Sequence, residues 1–118
     1  MTARQAAFEA LLRVEQDKAY SNITLDSVFK KSDMSGRDKS FAAGLFYGVL
    51  ENKLLLDYNI AVRADRPIGK IDIKVLLLLR MGLFQIFLTD SVPDSAAVNE
   101  TVGLCRQNGC SDAAGFVN

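Results

Sequence analysis

The chain has 118 residues, 49% of them hydrophobic and 24% charged, which excludes a disordered polypeptide and provides for one domain around one core. Fourteen basic residues are matched by fourteen acidic ones, so the bulk charge expected of a strong, non-specific nucleic-acid binder is absent, and any nucleic-acid contact must come from a local basic face. There is no histidine and there are two cysteines, Cys105 and Cys110, too few ligands for a structural zinc site.

Thr2 is placed to cap a first helix in which Ala7, Leu11 and Val14 recur at helical spacing, with Phe8 and Leu12 widening the apolar stripe. This helix runs to about Gln16. Ser21 or Asn22 serves as the cap of a short second helix carrying Ile23, Leu25, Val28 and Phe29 and ending near Lys31. The turn cluster Ser32-Asp33-Met34-Ser35-Gly36 follows, and Ser35 with Asp38 approximates a capping box.

Phe41, Leu45, Val49, Leu56 and Ile60 then mark one long helix with room to bend at Glu51-Asn52-Lys53. It stops before Pro67, because a residue preceding proline is pushed out of helical geometry. Asp72 caps the next helix, which from Ile73 to Leu88 is apolar on nearly every face. Asp72, Lys74, Arg80 and Gln85 interrupt the apolar run Ile71 to Leu88, so it reads as a buried core helix and not as a membrane span. Beyond Val92-Pro93, a fifth helix extends from Asp94 to Gln107 and is stopped by Asn108-Gly109. Ser111 or Asp112 opens a final segment, Ala113 to Asn118, that breaks off without a C-terminal cap. The class is all-α, a bundle of about six helices with the central apolar helix near 73-88. The N-terminus, Met1 to Gln5, has no apolar signal core, which makes the chain cytoplasmic by default.

Without histidine the chain lacks the commonest general acid–base group, and it contains no GxGxxG, GxxxxGK[ST] or HExxH pattern. Asp57, Asp65, Asp72, Asp90 and Glu100 are scattered over helix faces and caps. The chain by itself is not expected to be an enzyme. Binding remains, with Arg4, Arg13 and Lys18 near the first helix, Arg37, Lys39 and Lys53 along the third, and Arg106 on the fifth as candidates. Each also fits ordinary solvated helix surface, so the set is informative only if it converges in space. Phe41, Phe46, Phe84 and Phe87 lie in apolar stripes and are expected in the core, whereas Tyr20 lies beside a loop and is the aromatic to watch. The two thiols are expected to be reduced, since a disulfide would have to close a tight loop around Asn108 and Gly109.

Several segments taken in order carry a resemblance: Ala3-Arg4 and the aliphatic helix after it, Ala19-Tyr20-Ser21-Asn22, Arg37-Asp38 leading to Phe46-Tyr47-Gly48-Val49-Leu50, and Leu79-Arg80-Met81-Gly82. Val92-Pro93, Ala96-Ala97-Val98-Asn99-Glu100 and Ala114-Gly115-Phe116-Val117-Asn118 complete it. Across nearly the whole chain this resembles the NusB-like domain at the N-terminus of the RsmB (Sun/Fmu) family of small-subunit ribosomal-RNA cytosine-5 methyltransferases. Gly48 and Gly82 read as sites of close helix approach, so most of the signature is scaffold.

The resemblance implies a single NusB-like RNA-binding domain over 1-118, followed in a longer protein by a linker and a catalytic methyltransferase domain. That later domain would be the partner in cis and would bind S-adenosylmethionine, with no cofactor in this chain. It implies RNA contact, ribosomal in kind, for which Arg4, Arg13, Lys18, Arg37, Lys39 and Lys53 remain the candidates by residue type, and neither a metal nor a membrane is expected as a partner. The free-standing transcription antitermination factor NusB, which binds RNA with a ribosomal-protein partner, has the same fold and offers the alternative. Zero net charge also fits a helical protein–protein module with no nucleic-acid role.

Overall fold

The computed structural model describes residues 1–18, 20–64, 67–89 and 92–110. Among these there are six α-helices and no strand: α1 (Ala3–Asp17), α2 (Ser21–Lys30), α3 (Gly36–Glu51), α4 (Lys53–Ala64), α5 (Ile73–Phe87) and α6 (Asp94–Gln107), with a 3₁₀ turn at Ile68–Lys70. The expected last segment, 113 to 118, lies outside the described residues. The chain divides into two compact units, residues 1–48 and 49–118.

In the first unit, the Thr2 side chain accepts from the Gln5 amide at 3.1 Å, satisfying one of the donors that a helix start leaves open. Ala6, Ala7, Phe8, Ala10 and Leu11 are buried on one face of α1, and α1 packs on α2, whose Leu25 and Val28 are buried. Phe8 and Leu11 each contribute about 1.5–3 kcal/mol on burial. α1 ends at Asp17, and its C-cap Lys18 takes the left-handed conformation at φ 55°.

Two local expectations shift. The N-cap of α2 is Tyr20, not Ser21 or Asn22; its carbonyl accepts both the Thr24 amide at 3.0 Å and the Thr24 hydroxyl at 2.8 Å, which anchors the first turn without a side-chain cap. Ile23 points outward and is exposed. At the start of α3 the Asp38 amide donates to the Ser35 hydroxyl at 3.2 Å, as the capping pattern predicts.

The long third helix is two helices, α3 and α4, separated at Asn52. The apolar stripe is interrupted at the polar triplet Glu51-Asn52-Lys53, where the helix breaks, and the Asn52 carbonyl accepts the Leu56 amide at 2.9 Å to begin α4. In the second unit α5 packs against α4 and α6. The Asp72 carboxylate caps α5 by accepting from the Lys74 amide at 3.0 Å. Val75 to Leu78 and Arg80 to Gly82 are buried, the pattern of a helix enclosed on nearly all sides. None of the helices among the described residues is long and apolar enough to cross a membrane.

α5 and α6 approach closely at Gly82, where an added Cβ would lie 3.1 Å from the Thr101 hydroxyl oxygen. That hydroxyl donates to the Ala97 carbonyl at 2.7 Å. Arg80 and Asp57 form a charged contact inside this unit: Nε to Oδ1 is 2.7 Å and Nη2 to Oδ2 is 2.9 Å, a two-pronged pair between α5 and α4. Among the described residues every buried side-chain nitrogen and oxygen has a hydrogen-bond partner.

Candidate nucleic-acid interface

The expected basic residues fall into distinct settings. Arg4 lies over the Phe41 ring with its guanidinium carbon 5.0 Å from the centroid, joining α1 to α3. Lys39 sits 6.0 Å from the Phe29 centroid, joining α3 to α2. Contacts of this kind contribute about 0.5–1 kcal/mol at exposed sites. Arg13 reaches from α1 to α2, its Nη1 donating to the Ser27 hydroxyl at 3.4 Å. Lys18 and Arg37 are exposed, Lys18 just past the end of α1 and Arg37 in the first turn of α3. Lys53 opens α4 and Arg106 lies in the last turn of α6, both in the unit formed by residues 49–118.

Arg13 does converge with other residues, on a face of α2 whose lysines are not among the candidates that residue type and position suggest. Ile23, Asp26, Ser27, Lys30 and Lys31 line a shallow hollow of about 450 Å³, and the Arg13 guanidinium approaches it through Ser27. Tyr20, at the N-terminal end of the same helix, is 79% exposed. The hollow therefore combines three cations, one carboxylate, an exposed isoleucine and, at its end, an exposed aromatic ring. Phosphate groups bind such cations through long-range attraction, and unstacked bases lie against exposed aromatic and aliphatic side chains. Lys30 and Lys31 are legible in the sequence as a basic pair at the end of α2. What the sequence does not show is that the helix turns Ile23 outward beside them.

The second unit presents a different surface. Leu54, Leu55, Tyr58 and Val62 are exposed, Leu54 to 86%. On α4 the positions 54, 58 and 62 follow one another at four-residue steps and form a single stripe, opposite the buried Leu56 and Ile60. Phe87, expected in the core, is 49% exposed at the end of α5, with the Arg63 guanidinium carbon 5.0 Å above its ring. Close to these side chains a cavity of about 360 Å³ opens between α4, α5 and α6, lined by Ile60, Arg63, Leu79, Leu83 and Val98 among others. Contiguous exposed apolar faces of this kind are characteristic of surfaces that another polypeptide covers. The signal for it is the Leu54-Leu55-Leu56 run, of which one helix can bury only a part.

Among the described residues no group of three or more Cys, Asp or Glu side chains is placed to hold a metal ion.

The chain is 38% identical over 117 residues to the probable ribosomal RNA small subunit methyltransferase B of Bacillus subtilis, and 36% identical over 118 residues to the protein of the same name from Synechocystis. These alignments take in 99% and 100% of this chain but 26% of each relative, so the chain spans about a quarter of the length of those proteins. It is also 29% identical over 120 residues to the transcription antitermination protein NusB of Ruminiclostridium cellulolyticum, covering 98% of this chain and 81% of that protein. Among solved structures, a chain in the crystal structure of a plectonemic RNA supercoil superposes with a TM-score of 0.89 at 18% identity, over 98% of this chain and 85% of that one. That likeness shows a shared all-α fold. With the NusB family matched over residues 1–118, end to end, the chain belongs to the NusB family.

Proposed function

We propose that this chain is an RNA-binding accessory domain that helps to position small-subunit ribosomal RNA for a cytosine-5 methyltransferase domain of the same cytoplasmic protein. The observation that carries this reading is the end-to-end similarity to the ribosomal RNA methyltransferase relatives, at 36–38% identity over a quarter of their length. Methyl transfer and S-adenosylmethionine binding then belong to the remaining three quarters. RNA contact rests on Arg4, Arg13, Lys18, Arg37, Lys39 and Lys53, supplemented by Lys30 and Lys31 around the α2 hollow. The apolar stripe of α4 is the surface against which the catalytic domain packs.

The test is an anisotropy titration of the domain with fluorescent fragments of small-subunit ribosomal RNA at about 50 mM and about 200 mM salt. Binding that weakens steeply with salt is expected, because released counterions carry much of the affinity. Absence of binding at the lower salt would remove the RNA part of the proposal and leave a docking role.

The alternative is a free-standing antitermination factor that binds RNA together with a ribosomal protein. It is favoured by the relatives named NusB, 81% and 85% of whose length the chain covers in two cases. It requires a ternary complex of chain, RNA and ribosomal protein, and failure to assemble one in gel filtration would exclude it.

A further inference from the structure

The two cysteines meet at the C-terminal end of α6. Cys105 is in the last turn of the helix and fully buried; Cys110 follows the turn and is 7% exposed. Neither is in a disulfide, yet their thiols are in direct contact. The tight loop that makes a bridge between them look unfavourable in sequence is already folded. The Asn108 side chain donates to the Leu104 carbonyl at 2.7 Å, Gly109 takes the left-handed φ of 83° that such a reversal needs, and the Cys110 amide donates to the Cys105 carbonyl at 3.0 Å. The thiols are also held by backbone. Cys105 Sγ lies 2.7 Å from the Cys110 carbonyl oxygen, and Cys110 Sγ lies 3.1 Å from that of Cys105.

We propose that Cys105 and Cys110 form a reversible dithiol–disulfide pair that is oxidised by small-molecule disulfides of the glutathione type. Cys110 is the entry point, being the residue of the pair with residual exposure. Its thiolate attacks one sulfur of glutathione disulfide, the S–S bond of the reagent breaks, and one glutathione thiolate leaves. The Cys105 thiolate then attacks the Cys110 sulfur, forming the protein disulfide and expelling the second glutathione. The two protons given up by the cysteines end on the two glutathione molecules; the protein is oxidised by two electrons and glutathione disulfide is reduced by two. In a reducing compartment such a pair is a transient, responsive bond and not a structural one. Closing it would lock the last turn of α6 to the Asn108-Gly109 turn.

The experiment equilibrates the protein in glutathione buffers from fully reduced to fully oxidised, quenches it with N-ethylmaleimide in denaturant, and digests it with trypsin. Arg106 lies between the cysteines, so cleavage there separates them and a bridge appears as two linked peptides. The expected result is complete loss of maleimide from both residues in the oxidised buffers with the linked pair in its place, reversed by excess reduced glutathione. In the Cys105→Ser protein, glutathione should instead accumulate on Cys110. Maleimide on both cysteines throughout, or a lasting glutathione adduct on Cys110 in the unsubstituted protein, would overturn the proposal.

Discussion

Asp57→Ala is expected to destabilise the chain by about 3 kcal/mol, because it removes the carboxylate that meets both nitrogens of the Arg80 fork at 2.7 and 2.9 Å. The guanidinium is only 4% exposed, so water cannot take the place of that carboxylate without opening the α4–α5 packing. Asp57 is 18% exposed, and the reverse truncation, Arg80→Met, should cost less, about 1–2 kcal/mol, since the carboxylate left behind can be partly rehydrated. The double substitution Asp57→Ala with Arg80→Met replaces both charges by apolar groups and is expected to lie about 1 kcal/mol below the parent. The coupling between the sites is then about 3 kcal/mol and of the sign that rescues. Urea unfolding followed by far-ultraviolet circular dichroism measures all four proteins. Strictly additive costs, or an Asp57→Ala penalty below about 1 kcal/mol, would refute the view that the pair matters mainly through the charge each partner leaves behind.

Gly82→Val should lose about 2 kcal/mol in the same assay, because the side chain meets Thr101 where the helices approach. Gly103→Ala has no atom within 4 Å of the new methyl and should gain about 0.5–1 kcal/mol from helix propensity alone. Replacing Lys30 and Lys31 by Glu should flatten the salt dependence of RNA binding by about 0.7 in logarithmic slope for each phosphate no longer neutralised, with helix content unchanged; an unaltered slope would take the α2 hollow out of the interface. Tyr58→Lys on the exposed face of α4 should change the stability of this chain by less than about 0.5 kcal/mol, while weakening co-purification with a separately expressed methyltransferase domain.

Helix identity is legible because the start and stop signals are chemically explicit. Thr2, Ser35 and Asp72 supply oxygen atoms where helix starts leave amides open, and all three are used as caps. The Asn108-Gly109 stop likewise ends α6 at Gln107. Where the sequence misleads, the missing information is tertiary. Periodicity continues through Asn52, but a polar triplet bends a helix or breaks it depending on what packs beside it. Phe87 and Ile23 have the hydrophobicity of core residues and lie outside the core, a choice that hydropathy alone does not make. Arg80 stands in the sequence only as an interruption in an apolar run; its partner is 23 positions away on a helix whose facing side has to be known first. The basic candidates follow from residue type, whereas their convergence depends on which way α2 is rolled, and that is fixed by the burial of Leu25 and Val28 as α2 packs on α1.

The near-complete enclosure of α5 also has a kinetic meaning. An amide at Leu77 or Leu78 exchanges its hydrogen only when both flanking helices have let go, so these positions report global unfolding, whereas amides near Lys18 or Lys31 report local fraying. The slowest hydrogens of α5 thus form an internal clock of cooperative opening in residues 49–118, and a ligand held on α4 or α6 would be seen to slow it even without touching α5.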